Sequence, residues 1–164
     1  MKANKVEKEF WRKHFRLAPG AIAGISPEWG HLNFRITDLD DDGLYWLTSR
    51  IKRIVQLDLD NCLVTDEGIK HLAKLEYIQE LRLKGCNVSK DCLPDLNKLS
   101  SLELLHLGDT HILPGDLPAL SSLQNLKLLL VSSNDDEETI KAAAKKLKEV
   151  LPACELNVNH KSYD

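Results

Sequence analysis

Residues 57–72 read Leu57-Asp58-Leu59-Asp60-Asn61-Cys62-Leu63-Val64-Thr65-Asp66-Glu67-Gly68-Ile69-Lys70-His71-Leu72, and their pattern returns along the chain. Leu57, Leu59, Cys62, Val64, Ile69, Leu72 and Leu75 are answered 24 residues on by Leu81, Leu83, Cys86, Val88, Leu93, Leu96 and Leu99. A third copy holds Leu105, Leu107, Thr110, Ile112, Leu117, Leu120 and Leu123, and the leading slot of successive copies is Ile54, Ile78, Leu102 and Leu126. An earlier copy, displaced by 25 residues, places Trp29, Leu32, Phe34, Thr37, Leu39, Gly43, Leu44 and Leu47 in the same slots.

Leucines two apart lie on one side of a strand, so each copy has a buried strand face and a presented one. Ile69, Leu72 and Leu75 then recur at helical spacing, which predicts a short returning helix, and Thr65 or Asp66 is placed to cap it. Pro94, Pro114 and Pro118 fall in the next two returns and remove backbone donors, so those returns are expected to be short helices or 3₁₀ turns. After Leu126 the strand pair Leu129 and Val131 persists, followed by a longer helical segment from Asp135 to Leu151 and a last strand with Leu156 and Val158.

The pattern L-x-L-x-x-C-x-V-T-D-x-G-I-x-x-L resembles the leucine-rich-repeat family, in its cysteine-containing, ribonuclease-inhibitor-like branch. The resemblance covers roughly residues 29–158. It implies an α/β fold, a leucine-rich-repeat solenoid forming a short horseshoe segment with about six parallel strands, short return helices, an N-terminal helical cap and a closing helix and strand. It also implies that Cys62 and Cys86 occupy an inward turn slot where the family stacks Asn, Cys or Thr; Thr37 and Thr110 fill that slot here. The family supplies a scaffold and no fixed reaction.

Three regions are expected: a helical cap over 1–28, the solenoid over 29–158 and a C-terminal tail over 159–164. The cap is read from Val6, Phe10, His14 and Leu17 at helical spacing, with Trp11 and Phe15 beside them, because the first unit of such a stack would otherwise expose its core. The charge of −3, with 22 basic and 25 acidic residues, lacks the basic excess that captures nucleic acid. No apolar run is long enough to span a bilayer. Pro19, Gly20 and Gly24 interrupt the stretch from Leu17 to Ile25, so it does not read as a signal peptide, and a cytoplasmic location with four reduced cysteines is expected.

No phosphate-binding glycine loop, zinc-protease helix or nucleophile elbow occurs. The acidic runs at Asp38–Asp42 and Asp135–Glu138 lack EF-hand spacing and precede helical segments, where carboxylates complement the helix dipole. The cysteines form no C-x-x-C pair, and no metal or other cofactor is expected.

What remains is the presented face. One row across the strands runs Asn33, Asp58, Arg82, His106, Leu130, Asn157; a second runs Arg35, Asp60, Lys84, Gly108, Ser132, Asn159, with Asp109 just beyond. Asp58 and His106 as an acid–base pair would stand two strand steps apart, roughly 9–10 Å, with Arg82 between them. Cross-strand compensation is expected instead, with Asp58 against Arg82, and Asp60 flanked by Arg35 and Lys84. The expected function is therefore non-enzymatic. The chain is read as a monomeric adaptor or inhibitor that binds another protein or peptide through its concave strand face, using Asn33, Arg35, Asp58, Asp60, Arg82, Lys84, His106 and Asp109. The alternatives are an immunity-type protein that neutralises a toxin, and a small enzyme or metal-binding protein built on the outward Asp and His residues.

Overall fold

A computed structural model describes residues 3–163. It is an α/β fold with one open seven-stranded sheet, mostly parallel, whose strands lie side by side in chain order. They are β1 (Glu28–Asn33), β2 (Arg53–Asp58), β3 (Tyr77–Arg82), β4 (Leu104–Leu107), β5 (Leu128–Val131), β6 (Glu155–Val158) and β7 (Lys161–Tyr163). The register joins Leu32 to Leu57, Leu57 to Leu81, Leu81 to Leu105, Leu105 to Leu129 and Leu129 to Leu156. These are steps of 25, 24, 24, 24 and 27 residues, so the spacing of the sequence pattern is the spacing of the strands.

The returning segments are α2 (Asp41–Arg50), α3 (Asp66–Leu72), a 3₁₀ turn leading into α4 (Leu93–Leu96), the 3₁₀ helix Pro114–Leu120, and α5 (Glu137–Val150). Each packs against the next. The proline-bearing returns are the short and 3₁₀ ones, as the missing donors require. Asp40, Thr65 and Asp136 cap α2, α3 and α5 by accepting the backbone N–H of Gly43, Glu67 and Thr139, so both acidic runs serve helix starts.

A further tie links successive returns. Asp41 accepts the backbone N–H of Thr65 at 2.8 Å and its hydroxyl at 2.7 Å, and Asp66 does the same for Ser89, at 2.7 Å each. In both cases a carboxylate in the first turn of one helix fixes the cap residue of the next.

The core fills the space between sheet and returns with the repeated Leu, Ile and Val positions. All four cysteines are buried free thiols. Cys62 donates to the carbonyl of Phe34 at 3.0 Å and Cys86 to that of Leu59 at 3.1 Å, while Thr110 donates to Leu107 at 2.7 Å. The turn slot thus needs a small donor, and either thiol or hydroxyl serves. Burial pushes the Cys86 and Cys92 thiols up to about 12 and Cys154 to about 11, so they stay protonated and unreactive at neutral pH.

At the N-terminus, α1 (Lys5–Phe15) buries Phe10 and Trp11, and its rings continue through Phe15 to Trp29 and Phe34 at centroid distances of 5.4 and 5.7 Å. The buried face differs from the expected stripe: Val6 is 61% exposed and Glu7 lies inside. Glu7 turns inward because Arg50 of α2 donates to its carboxylate at 2.8 Å.

The C-terminus also departs from expectation. Residues 161–163, within the expected C-terminal tail over 159–164, form β7 and pair antiparallel with β6. Asn159 and His160, with φ of 49° and 68°, make the two-residue reversal between the paired Val158 and Lys161. No glycine marks that turn, which hides it in the sequence. Asp164 lies outside the described residues.

A left-handed residue follows each of the first four strands, at Ile36, Asn61, Gly85 and Asp109. Gly, Asn and Asp suit this conformation, whereas a β-branched side chain is strained by about 1–2 kcal/mol. Ile36 is 73% exposed and contributes little packing in return. Ile36→Asn should therefore stabilise the protein by about 1 kcal/mol in urea unfolding; a loss of stability would mean that the isoleucine makes contacts that outweigh its strain.

Candidate binding face

The outward side of the sheet carries three rows of side chains, held by strands whose other side is fixed in the core. In the first row, Asn33 is level with Asp58, Asp58 with Arg82, Arg82 with His106, His106 with Leu130 and Leu130 with Asn157. The expected alignment of Asn33, Asp58, Arg82 and His106 is therefore present. Arg35, Asp60, Lys84 and Asp109 follow at the strand ends, where the chain turns.

The expected ion pairs are not those that form. Asp58 accepts the backbone N–H of Asp60 at 3.0 Å, and Asp60, only 4% exposed, accepts that of Lys84 at 3.0 Å. Asn33 similarly accepts the N–H of Arg35 at 2.9 Å. At these turns the nearest unsatisfied groups are backbone donors, and the short carboxylates and amide close on them before reaching a long cationic side chain. Lys84 is left to reach Asp109 instead, at 3.3 Å. Asp109 also accepts from the Ser132 hydroxyl at 2.8 Å; that bond first, then Lys84, holds its carboxyl below the usual range.

Arg82 makes no ion pair or side-chain hydrogen bond among the described residues, although it is half-buried. Beside it, His106 folds toward Gly108: a Cβ at that glycine would stand 2.9 Å from the imidazole Nε2. His106 Nδ1 is shielded from solvent and has no hydrogen-bond partner among the described residues. Burial lowers its pKa first, with Arg82 and Lys84 adding to the effect against Asp60 and Asp109, so the ring is neutral at pH 7. No carboxylate hydrogen-bonds to it among the described residues, and Asp58 is two strands away across Arg82.

Burial also lowers His14 and His71 from the ordinary 6.5. The unfolded chain thus binds protons more readily than the native state. Stability is fully present above about pH 6.5 and is lost as pH falls through the folded-state values. Urea midpoints should drop between about pH 7.5 and pH 5.5, and His106→Asn should flatten that slope; an unchanged slope in the variant would show that His106 titrates as in the unfolded chain.

Sequence reasoning missed the third row, in which His31 is level with Gln56, Gln56 with Glu80, Glu80 with Leu104, Leu104 with Leu128 and Leu128 with Glu155. Its first half is a hydrogen-bonded chain, His31 to Gln56 at 2.6 Å and Gln56 to Glu80 at 2.8 Å. Its second half places Leu104 and Leu128, both half-buried, next to Leu130 of the first row. The uninterrupted runs Leu104-Leu105 and Leu128-Leu129-Leu130 conceal which leucines face out; carrying the 24-residue step from Glu80 would have exposed them. The face is thus polar across β1–β3 and apolar across β4–β5, with Arg82 and His106 at the boundary.

No protein-family model matches the chain, and no curated protein matches it in sequence. Among the described residues, no helix is long and apolar enough to cross a membrane, and no group of three or more His, Cys, Asp or Glu side chains converges as a metal site would require.

Proposed function

We propose that this chain is a short leucine-rich-repeat solenoid of the cysteine-containing type, and that it works in the cytoplasm as a non-catalytic binding module. The outward strand face, concave in such a horseshoe, takes another protein. The observation that carries this reading is the half-buried Arg82, without an ion pair among the described residues, next to Leu104 of the neighbouring strand and, one strand further across His106, Leu128 and Leu130. An arginine at the edge of an apolar patch, on a rigid sheet, is the composition of an interface hot spot. A partner segment with one carboxylate next to an apolar side chain would satisfy both halves. Lys84 and Asp109, already paired, form a polar rim that contributes more to selectivity than to affinity.

Affinity capture from extract of the cells that make the protein tests this. Arg82→Glu and Leu130→Asp should each reduce recovery of the partner at least about tenfold, the scale of a hot-spot loss. Lys74→Glu, on the return side, should leave recovery unchanged. Urea unfolding of each variant separates a lost contact from a lost fold. Capture that survives both strand-face changes but not Lys74→Glu would place the function on the return side.

A further inference from the structure

The C-terminal end carries a second, independent surface. On α5, Lys141, Lys145 and Lys148 are spaced at i, i+4 and i+7 and share one helix face. Across a groove of about 490 Å³ stand Lys161, Ser162 and Tyr163 of β7, with Ala144 also lining it. One carboxylate, Glu137, joins the two walls, at 2.9 Å from Lys141 and 3.0 Å from Lys161. Lys145 and Lys148 have no ion pair among the described residues. Like charges four apart weaken a helix by a few tenths of a kcal/mol. Among the described residues, four lysines and no acidic side chain line this groove, in a chain whose net charge is −3.

The other wall adds a directional feature. β7 is the last strand of the sheet, so its second edge has no strand beside it among the described residues. Such an edge offers main-chain donors and acceptors to an added strand. The dimensions agree. Three strand residues span roughly 10 Å, and the seven helical steps from Lys141 to Lys148 rise about the same distance. On an added strand, side chains two apart lie about 7 Å from each other on one side, close to the separation of helix neighbours three or four apart.

We propose that the groove between α5 and β7 docks an extended acidic polypeptide segment, which adds to the β7 edge and sets carboxylates at alternate positions against Lys145 and Lys148. Main-chain pairing supplies the orientation and the lysines supply the sign of charge that is accepted. The occupant is a protein segment and not a generic polyanion, because the edge recognises a backbone.

Fluorescence anisotropy with a labelled ten-residue peptide of alternating Glu and Val tests this on the full chain. The expected result is saturable binding that weakens at least about tenfold with Lys145→Glu/Lys148→Glu. Methylating alternate backbone amides of the peptide should weaken it comparably, and a Lys–Val peptide should not bind. The neutral Lys145→Gln/Lys148→Gln variant should fall between, and thermal unfolding should show all variants folded, since Lys145 is exposed and Lys148 only partly covered. Unchanged affinity in the charge-reversed variant would overturn the site. Insensitivity to amide methylation, with inorganic polyphosphate binding as tightly as the peptide, would overturn strand addition.

Discussion

Trp11→Ala should lower the free energy of unfolding by about 3–5 kcal/mol, the range for deleting a fully buried large aromatic side chain. Trp11 is completely buried, with ring contacts at 5.0 Å to Phe10 and 4.7 Å to Phe15, in the cluster that continues to Trp29 and Phe34 at the first strand. Among the described residues no strand lies beyond β1 to fill the vacancy, so the loss would be transmitted directly to the start of the sheet. Trp11→Phe should cost much less, because the indole N–H is shielded and has no hydrogen-bond partner among the described residues. Val6→Ala, four-tenths buried at most, serves as the neutral control. Urea unfolding of the three variants checks this; a loss under about 1 kcal/mol for Trp11→Ala would mean that α1 is not an integral part of the core.

Gly68→Ala should be costly for a different reason. A Cβ there would stand 2.4 Å from Asp41 Oδ1 and 3.0 Å from Leu44 Cδ1 and Val64 Cγ1. Overpacking of this kind costs about 1–3 kcal/mol. The oxygen displaced is also the one that accepts the N–H of Thr65, and a hydrogen bond to a charged group contributes about 1.5–3 kcal/mol. Asp41→Ala should therefore destabilise by a similar amount, but it also removes the obstacle to the new methyl. In the double variant the two losses should overlap by about 1 kcal/mol or more. Additivity within about 0.5 kcal/mol would show that the carboxylate swings away without loss, and that the clamp between returns is unimportant.

How far the sequence carries the structure depends on the kind of residue. Leu57, Leu81 and Leu105 define the strand register because an inward leucine has one place to go, and a slip by one residue would expose the whole set. Cys62, Cys86 and Thr110 were legible for the same reason, each meeting a backbone carbonyl at a fixed point in the turn. Side chains at strand ends were not. Asp58 and Asp60 stood beside cations in the rows, yet backbone donors two residues on or one strand over were closer. Their choice depends on turn geometry that periodicity does not encode. Glu7 was hidden by its partner, since Arg50 lies 43 positions away with no pattern linking the two. Leu104 and Leu128 were hidden by their leucine neighbours, and β7 by a reversal made without glycine. Of the candidate face, the row through Asn33, Asp58, Arg82, His106 and Leu130 was therefore visible, while its hydrogen-bond partners and the neighbouring outward Leu104 and Leu128 were not.

The most direct measurement of the binding face is site-specific photocrosslinking in the cells that make the protein, with a photoreactive residue placed singly at position 82, 130 or 74. A discrete adduct to the same partner polypeptide is expected from positions 82 and 130, and none from position 74. An adduct from position 74 alone, with 82 and 130 remaining uncrosslinked in folded protein, would contradict it.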